Sequence, residues 1–237
     1  MSRVALVTGS ARGIGRAILL ALAEKGFDVA VHYLSSEAEA EQTRQDAEKL
    51  GVQAIKVVAD VTRAQPAQNL IHTVAEQLGG LQILVNNVGD YLKKPIDQLS
   101  PQEWHRMLDS NLNAPFYLTQ TALPYLSETG YGRVVNIGFA GAQNLLACSA
   151  TTPYVIAKTG LIIYSKSLAK HLAARGVTVN VVSPGVAENS ISRPLDEIPM
   201  GRLAGLEEVA RAVLFFVDED SGYLTGQVVE VSGGWNL

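Results

Sequence analysis

The apolar positions of this chain fall into two alternating kinds of segment. Short runs rich in Val, Ile and Ala occur at 4–8, 29–33, 54–59, 83–86, 133–137, 178–182 and 227–231. They are mostly apolar throughout rather than at every second residue, which is the pattern of strands covered on both faces. Between them lie longer stretches of helical character at 15–25, 37–50, 66–78, 101–128, 153–175 and 206–217. Pro66 and Pro101 stand near predicted helix starts, where a missing N–H costs nothing. Ser100 has Glu103 three residues on, the signature of a capping box. Gly26, Gly51, Gly79 and Gly176 fall where helices should stop. Glu207 and Glu208 lie in the first turn of the last helix, where the macrodipole favours negative charge.

Strand alternating with helix predicts parallel βαβ units with right-handed crossovers. The expected class is α/β: a single-domain, doubly wound (Rossmann) fold with a seven-stranded parallel sheet and helices on both faces. No low-complexity linker, internal repeat or break in composition divides the chain, so residues 1–237 read as one domain.

Composition narrows the function classes. Charged residues make up 18% and the formal net charge is −4, so there is no electrostatic footprint for nucleic acid. No apolar stretch approaches the 18 residues needed to span a bilayer, which argues against a membrane partner and makes the cytoplasm the default expectation. The single cysteine, Cys148, allows no intramolecular disulfide and has no motif that would make it a nucleophile. The four histidines (His32, His72, His105 and His171) show no metal-ligand spacing, so no metal is expected.

Four segments carry candidate chemistry. Thr8-Gly9-Ser10-Ala11-Arg12-Gly13-Ile14-Gly15 follows the first strand and opens the first helix. Glycines there permit a tight turn and close approach of backbone to a pyrophosphate, and the helix N-terminus offers N–H donors to it. The end of the second strand reads His32-Tyr33-Leu34-Ser35-Ser36. An NAD site usually holds a carboxylate at that point. With Tyr33 there instead, nothing repels a 2′-phosphate, and Arg12, Ser35 and Ser36 can bond to one. NADP(H) is therefore the preferred cofactor, with NAD(H) left open. Asn86-Asn87-Val88-Gly89 ends the fourth strand, at the sheet edge where ligands sit in open α/β folds. Tyr154 and Lys158 lie four apart on a helix and share a face. A nearby ammonium lowers a tyrosine pKa from its ordinary value of about 10, which suits a general acid for a developing alkoxide.

Taken together, in this order and spacing, these segments resemble the short-chain dehydrogenase/reductase family over the whole chain. Asn111, Ser183-Pro184-Gly185, Tyr223-Leu224-Thr225-Gly226-Gln227 and Ser232-Gly233-Gly234 add to the likeness. The nearest look is to 3-oxoacyl-carrier-protein reductases and related carbonyl reductases. The resemblance implies that Tyr154 protonates the carbonyl oxygen while hydride arrives from a nicotinamide. Lys158 would hold the nicotinamide ribose and lower the Tyr154 pKa, and Asn111 would kink its helix and anchor a water leading to Lys158. Cofactor contacts are implied for Gly9, Ser10, Arg12, Gly13, Ile14, Gly15, Tyr33, Ser35, Asp60, Val61, Asn87, Val88, Gly89, Tyr154, Lys158, Pro184, Gly185 and Val186. It also implies a homotetramer or homodimer; Val209, Val213, Leu214 and Phe216 of the last helix, with the C-terminal strand, are the expected contacts, unless they face the chain's own core. The substrate expected is a small-molecule carbonyl compound or an acyl thioester.

The chain departs from the family in three places. Val88 stands where alanine is usual. Asn189 replaces a threonine in the segment after Pro184-Gly185, at the start of a stretch, 188–200, expected to form a short loop or small helix over the substrate. Most important, the serine that usually bonds the substrate carbonyl is missing. Counting forward from the fifth strand finds Phe139 after Gly138, and counting back thirteen from Tyr154 finds Gly141. Either Ser149, Thr151 or Thr152 substitutes, or the enzyme works without that donor at a cost of about 3 kcal/mol, or the chain binds cofactor without useful catalysis. Tyr91, Phe139 and Leu145 are the expected apolar walls of the substrate pocket. Two alternatives to a carbonyl reductase follow: a pteridine-type C=N reductase, which the family also contains, and a degenerate NADP(H)-binding sensor.

Overall fold

A computed structural model describes residues 3–236 of the chain; residues 1, 2 and 237 of the expected domain lie outside the described residues. Seven strands form one parallel sheet: β1 (Val4–Val7), β2 (Asp28–Tyr33), β3 (Ala54–Val58), β4 (Ile83–Asn86), β5 (Gly132–Ile137), β6 (Val177–Pro184) and β7 (Val228–Val231). Their spatial order is β3-β2-β1-β4-β5-β6-β7. The predicted strands differ from these only at their ends.

The helices are α1 (Gly13–Glu24), α2 (Glu37–Glu48), α3 (Ala64–Leu78), α4 (Pro101–Leu108), α5 (Ala114–Glu128), α6 (Thr152–Leu172) and α7 (Leu206–Val217). The side chains of β1 show why both faces of the sheet are dry. Ala5 and Val7 pack into one core with α1, α2 and α7. Val4 and Leu6 point the other way, into a second core with α3, α5 and α6. A strand sandwiched in this manner has no polar face to display, which accounts for the continuous apolar runs.

The predicted helix at 101–128 is two helices. Between α4 and α5 the backbone makes a π-type turn over Asp109–Asn113, with Asn111 inside it. Such an extra residue in a helix displaces a side chain from its regular position. The capping box at the start of α4 is present: the Glu103 N–H donates to Ser100 Oγ at 3.2 Å and the Ser100 N–H to Glu103 Oε2 at 2.8 Å.

The last helix corrects an expectation. Val209, Val213 and Phe216 are fully buried in the chain's own core against α1, so they are not free for a subunit contact. The exposed apolar side chain of α7 is Phe215. Among the described residues no helix is long and apolar enough to cross a membrane.

The strand order reverses between β1 and its two neighbours, β2 and β4. At that point the loops leaving the carboxyl ends of the strands diverge to opposite faces and leave a crevice.

Candidate active site

The crevice is a groove of about 960 Å³. All of the expected site residues except Ser10 and Leu145 line it. One end is built by the glycine loop. The first turn of α1 carries no acidic residue and no side-chain cap, so its N–H groups face the groove without an internal partner. Gly13 sits at φ +59°, and a Cβ there would lie 2.8 Å from Asn189 Nδ2. The loop and the 188–200 segment therefore close over the same space, and no side chain fits between them.

Thr8 and His32 hold this end in shape. Thr8 Oγ1 accepts from the N–H groups of Asn87 and Val88, at 2.9 and 3.0 Å, tying the β4 loop to the β1 loop. His32 Nδ1 accepts from the Gly9 N–H at 2.9 Å, so the proton is on Nε2, which donates to Ala59 O at 3.0 Å. Burial pulls the His32 pKa down to about 4, and the ring is neutral. Ser10, expected to touch the cofactor, is fully buried instead. Its Oγ accepts from the His32 N–H at 3.1 Å, fixing the loop to β2. Asp60 is also committed to its own loop, accepting from the Thr62 N–H and hydroxyl at 3.1 and 2.6 Å, but it still borders the groove. Arg12 is exposed on the rim of the groove, which Tyr33, Ser35 and Ser36 also line.

The other end holds Tyr154, Lys158 and Asn111. Lys158 is buried, and its Nζ donates to Ile137 O at 2.6 Å. It lies 5.7 Å from the centroid of the Tyr154 ring. Burial lowers the Lys158 pKa to about 7. The Tyr154 phenol is pushed above its ordinary value, by burial first and then by the neighbouring Tyr91 hydroxyl. The lowering expected from Lys158 is thus absent in this geometry, because desolvation of the phenol dominates.

Asn111 Nδ2 donates to Asp90 O at 2.9 Å and Met107 O at 3.0 Å. Its Oδ1 is buried with no partner. A Cβ on Gly89 would lie 2.4 Å from that Oδ1 and 3.3 Å from Lys158 Nζ. Only glycine lets the β4 loop pass so close to both groups. An unpaired buried carbonyl oxygen there suits an incoming polar partner.

The walls around Tyr154 are aromatic. Tyr91 and Phe139 each meet its ring edge to face, both at 5.2 Å between centroids. Trp235 meets Phe139 in the same manner at 5.6 Å. Phe139 therefore occupies the wall where the usual serine was sought. None of Ser149, Thr151 and Thr152 lines the groove. Thr152 Oγ1 donates to Cys148 O at 2.8 Å, and the carbonyls of Ser149 and Ala150 accept from Ile96 and Lys94 N–H groups. That loop is pinned to the 94–96 segment and presents no substitute hydroxyl. Leu145 is also corrected: it is 76% exposed, with φ +55°, and lies outside the groove. Trp235 was missed from the sequence; the Gly233-Gly234 turn ahead of it is the signal that brings it in.

The family model described as enoyl-(acyl carrier protein) reductase matches residues 9–236. The 3-oxoacyl-[acyl-carrier-protein] reductase of Staphylococcus aureus is 34% identical, covering 99% of this chain and 98% of its own. That of Escherichia coli is 33% identical, covering 98% and 96%. The chain belongs to the short-chain dehydrogenase/reductase family. Solved structures of similar shape agree. A short chain dehydrogenase from Burkholderia cenocepacia in complex with NADP superposes with a TM-score of 0.93, at 33% identity over 100% of this chain and 98% of that one. A blue fluorescent protein from a metagenomic library, in complex with NADPH, gives 0.94 at 31% identity over 99% and 98%. As a short-chain dehydrogenase/reductase, the chain is an oxidoreductase that uses a nicotinamide cofactor.

Proposed function

We propose that this chain is an NADPH-dependent reductase of a ketone-type carbonyl, with Tyr154 as the proton donor. The observation that carries the reading is the Tyr154–Lys158 pair, desolvated at one end of a groove whose other end is an uncapped helix N-terminus. When bound, the reduced nicotinamide supplies the hydride. The chain's own residues do the rest.

The free N–H groups of the first turn of α1, with Gly9 and Gly13 beside them, would cradle the pyrophosphate. Ile14 and Gly15 complete that turn. Tyr33 and Ser35, with Arg12 on the rim, favour a 2′-phosphate over bare ribose hydroxyls. Asp60 and Val61 would border the adenine, and Asn87, Val88 and Gly89 the adenosine ribose side. Pro184, Gly185 and Val186 would face the nicotinamide end. The NADP and NADPH in the two similar structures support this choice of cofactor.

A phenol held above its ordinary pKa stays protonated at working pH, which is the form a proton donor needs. Lys158, with a pKa near 7, is poised to pass a proton toward Tyr154. The unpaired Asn111 Oδ1 is placed to hold a water on that route. The relatives' activity makes short 3-oxoacyl thioesters the first substrates to try. We further place the enzyme in the cytoplasm, as one domain per chain in a homotetramer or homodimer.

The test is oxidation of NADPH, followed optically, with acetoacetyl thioesters, simple diketones and aryl ketones. Turnover with at least one carbonyl compound is the expected result. Tight NADPH binding with no turnover on the whole panel would refute the reading.

A further inference from the structure

We propose that the groove is built for a flat, conjugated carbonyl compound, an aryl ketone or aryl diketone, whose ring packs against Phe139 and Trp235. The proposal rests on the carbonyl-reductase reading and narrows it.

Three observations lead there. First, the reacting phenol meets Tyr91 after β4 and Phe139 after β5, and Trp235 near the C-terminus extends that wall by packing on Phe139. Each contact is edge to face, at 75–83° between planes. A further aromatic ring can extend such an arrangement, meeting an edge or a face of each neighbour.

Second, Trp235 is a fixed wall, not a loose tail. Its indole Nε1 donates to Glu197 Oε2 at 3.1 Å. Gly234, at φ +90°, lies against Pro199, where a Cβ would come within 2.9 Å. The 188–200 strap and the chain end thus clasp each other, with the indole turned to the groove. Asn236 continues the clasp, since Asn144 Nδ2 donates to its carbonyl at 2.8 Å.

Third, the wall that holds Phe139 presents carbon in place of a hydroxyl donor, and the loop after it supplies none. The carbonyl oxygen then lacks the second donor that a serine on that wall would give beside Tyr154. A carbonyl carbon made electron-poor by a second carbonyl suffers least from this loss. In the step itself, the C=O π pair moves to oxygen, which takes the Tyr154 proton, and the carbon takes the hydride. The ketone becomes an alcohol as the nicotinamide is oxidised, and Tyr154 is reprotonated from solvent.

The experiment compares 1-phenyl-1,2-propanedione with 2,3-pentanedione, by calorimetric binding in the presence of NADP+ and by NADPH oxidation. The phenyl compound should bind about tenfold tighter, the scale of one or two ring contacts. Phe139→Leu and Trp235→Leu should each bring the two probes to within about twofold, while NADPH affinity shows that the variants are folded. Should Phe139→Leu not fold, Trp235→Leu, near the chain end, decides the matter. Equal binding of the two probes, or a preference that survives in the variants, overturns the proposal. Turnover separates the two levels. Equal NADPH oxidation with both probes would keep the reductase and discard the aromatic site. Selective phenyl binding without oxidation would keep the site and discard the reductase.

Discussion

Replacing Lys158 with methionine should stabilise the cofactor-free protein while destroying its activity, and the gain should shrink as pH rises. The lysine ammonium is 4% exposed, its only described hydrogen bond is to Ile137 O, and burial brings its pKa to about 7. An unfolded chain holds that proton until about pH 10.4. Between these values the unfolded state binds more protons, so the wild type gains stability with pH. Below pH 7 both states are protonated, and the cost of burying the charge is present in full. From the two pKa values the cost is about 4 kcal/mol at pH 7 and about 2 kcal/mol at pH 9. Methionine removes it at both. Loss of the bond to Ile137 O and changes in packing subtract an amount that does not vary with pH, roughly 1–3 kcal/mol. Urea unfolding of both proteins without cofactor, at pH 7 and pH 9, reads the difference. The variant's advantage should fall by about 2 kcal/mol between the two. A difference constant with pH would show that Lys158 is not held near neutrality by burial, and the reasoning about its proton would fail.

Other consequences follow from the same geometry. His32 is buried neutral with a pKa near 4, so the unfolded chain takes up a proton first as pH falls. Stability should drop by about 3 kcal/mol between pH 6.5 and 4, and His32→Gln should flatten that loss in urea titrations; an unchanged profile would show that burial does not hold His32 neutral. Arg12→Ala should weaken NADPH binding about tenfold, as expected for loss of one charged hydrogen bond, and leave NADH binding unchanged; equal loss for both would remove Arg12 from the 2′-phosphate. Light scattering should give a dimer or tetramer at micromolar concentration, and a monomer would refute the assembly.

Much of this was legible in the sequence because it lies in local rules. Apolar runs without alternation gave buried parallel strands, and Ser100 with Glu103 gave a real helix start. Glycines close to one another in the chain marked the uncapped helix start at one end of the groove. What escaped depends on contacts between distant segments. Ser10 sits in the expected motif, but a bond to the His32 backbone turns it inward. Val209, Val213 and Phe216 form an apolar stripe that serves α1 as readily as a partner, and periodicity cannot distinguish the two. Leu145 looked like pocket wall because its loop does border the site, yet a left-handed turn carries it outward. Trp235 reaches the groove through the Gly233-Gly234 turn and its bond to Glu197, although it lies 96 residues beyond Phe139 in the chain. The raised Tyr154 pKa reflects burial, which no spacing of Tyr and Lys reveals.

The central claim is that Tyr154 donates the proton in carbonyl reduction and does not merely line a cofactor groove. Tyr154→Phe removes one oxygen atom and keeps the ring that meets Tyr91 and Phe139. On whichever carbonyl substrate the wild type reduces, the variant should bind NADPH with unchanged affinity and lose at least about a hundredfold in turnover. Unchanged binding with unchanged turnover would contradict the account.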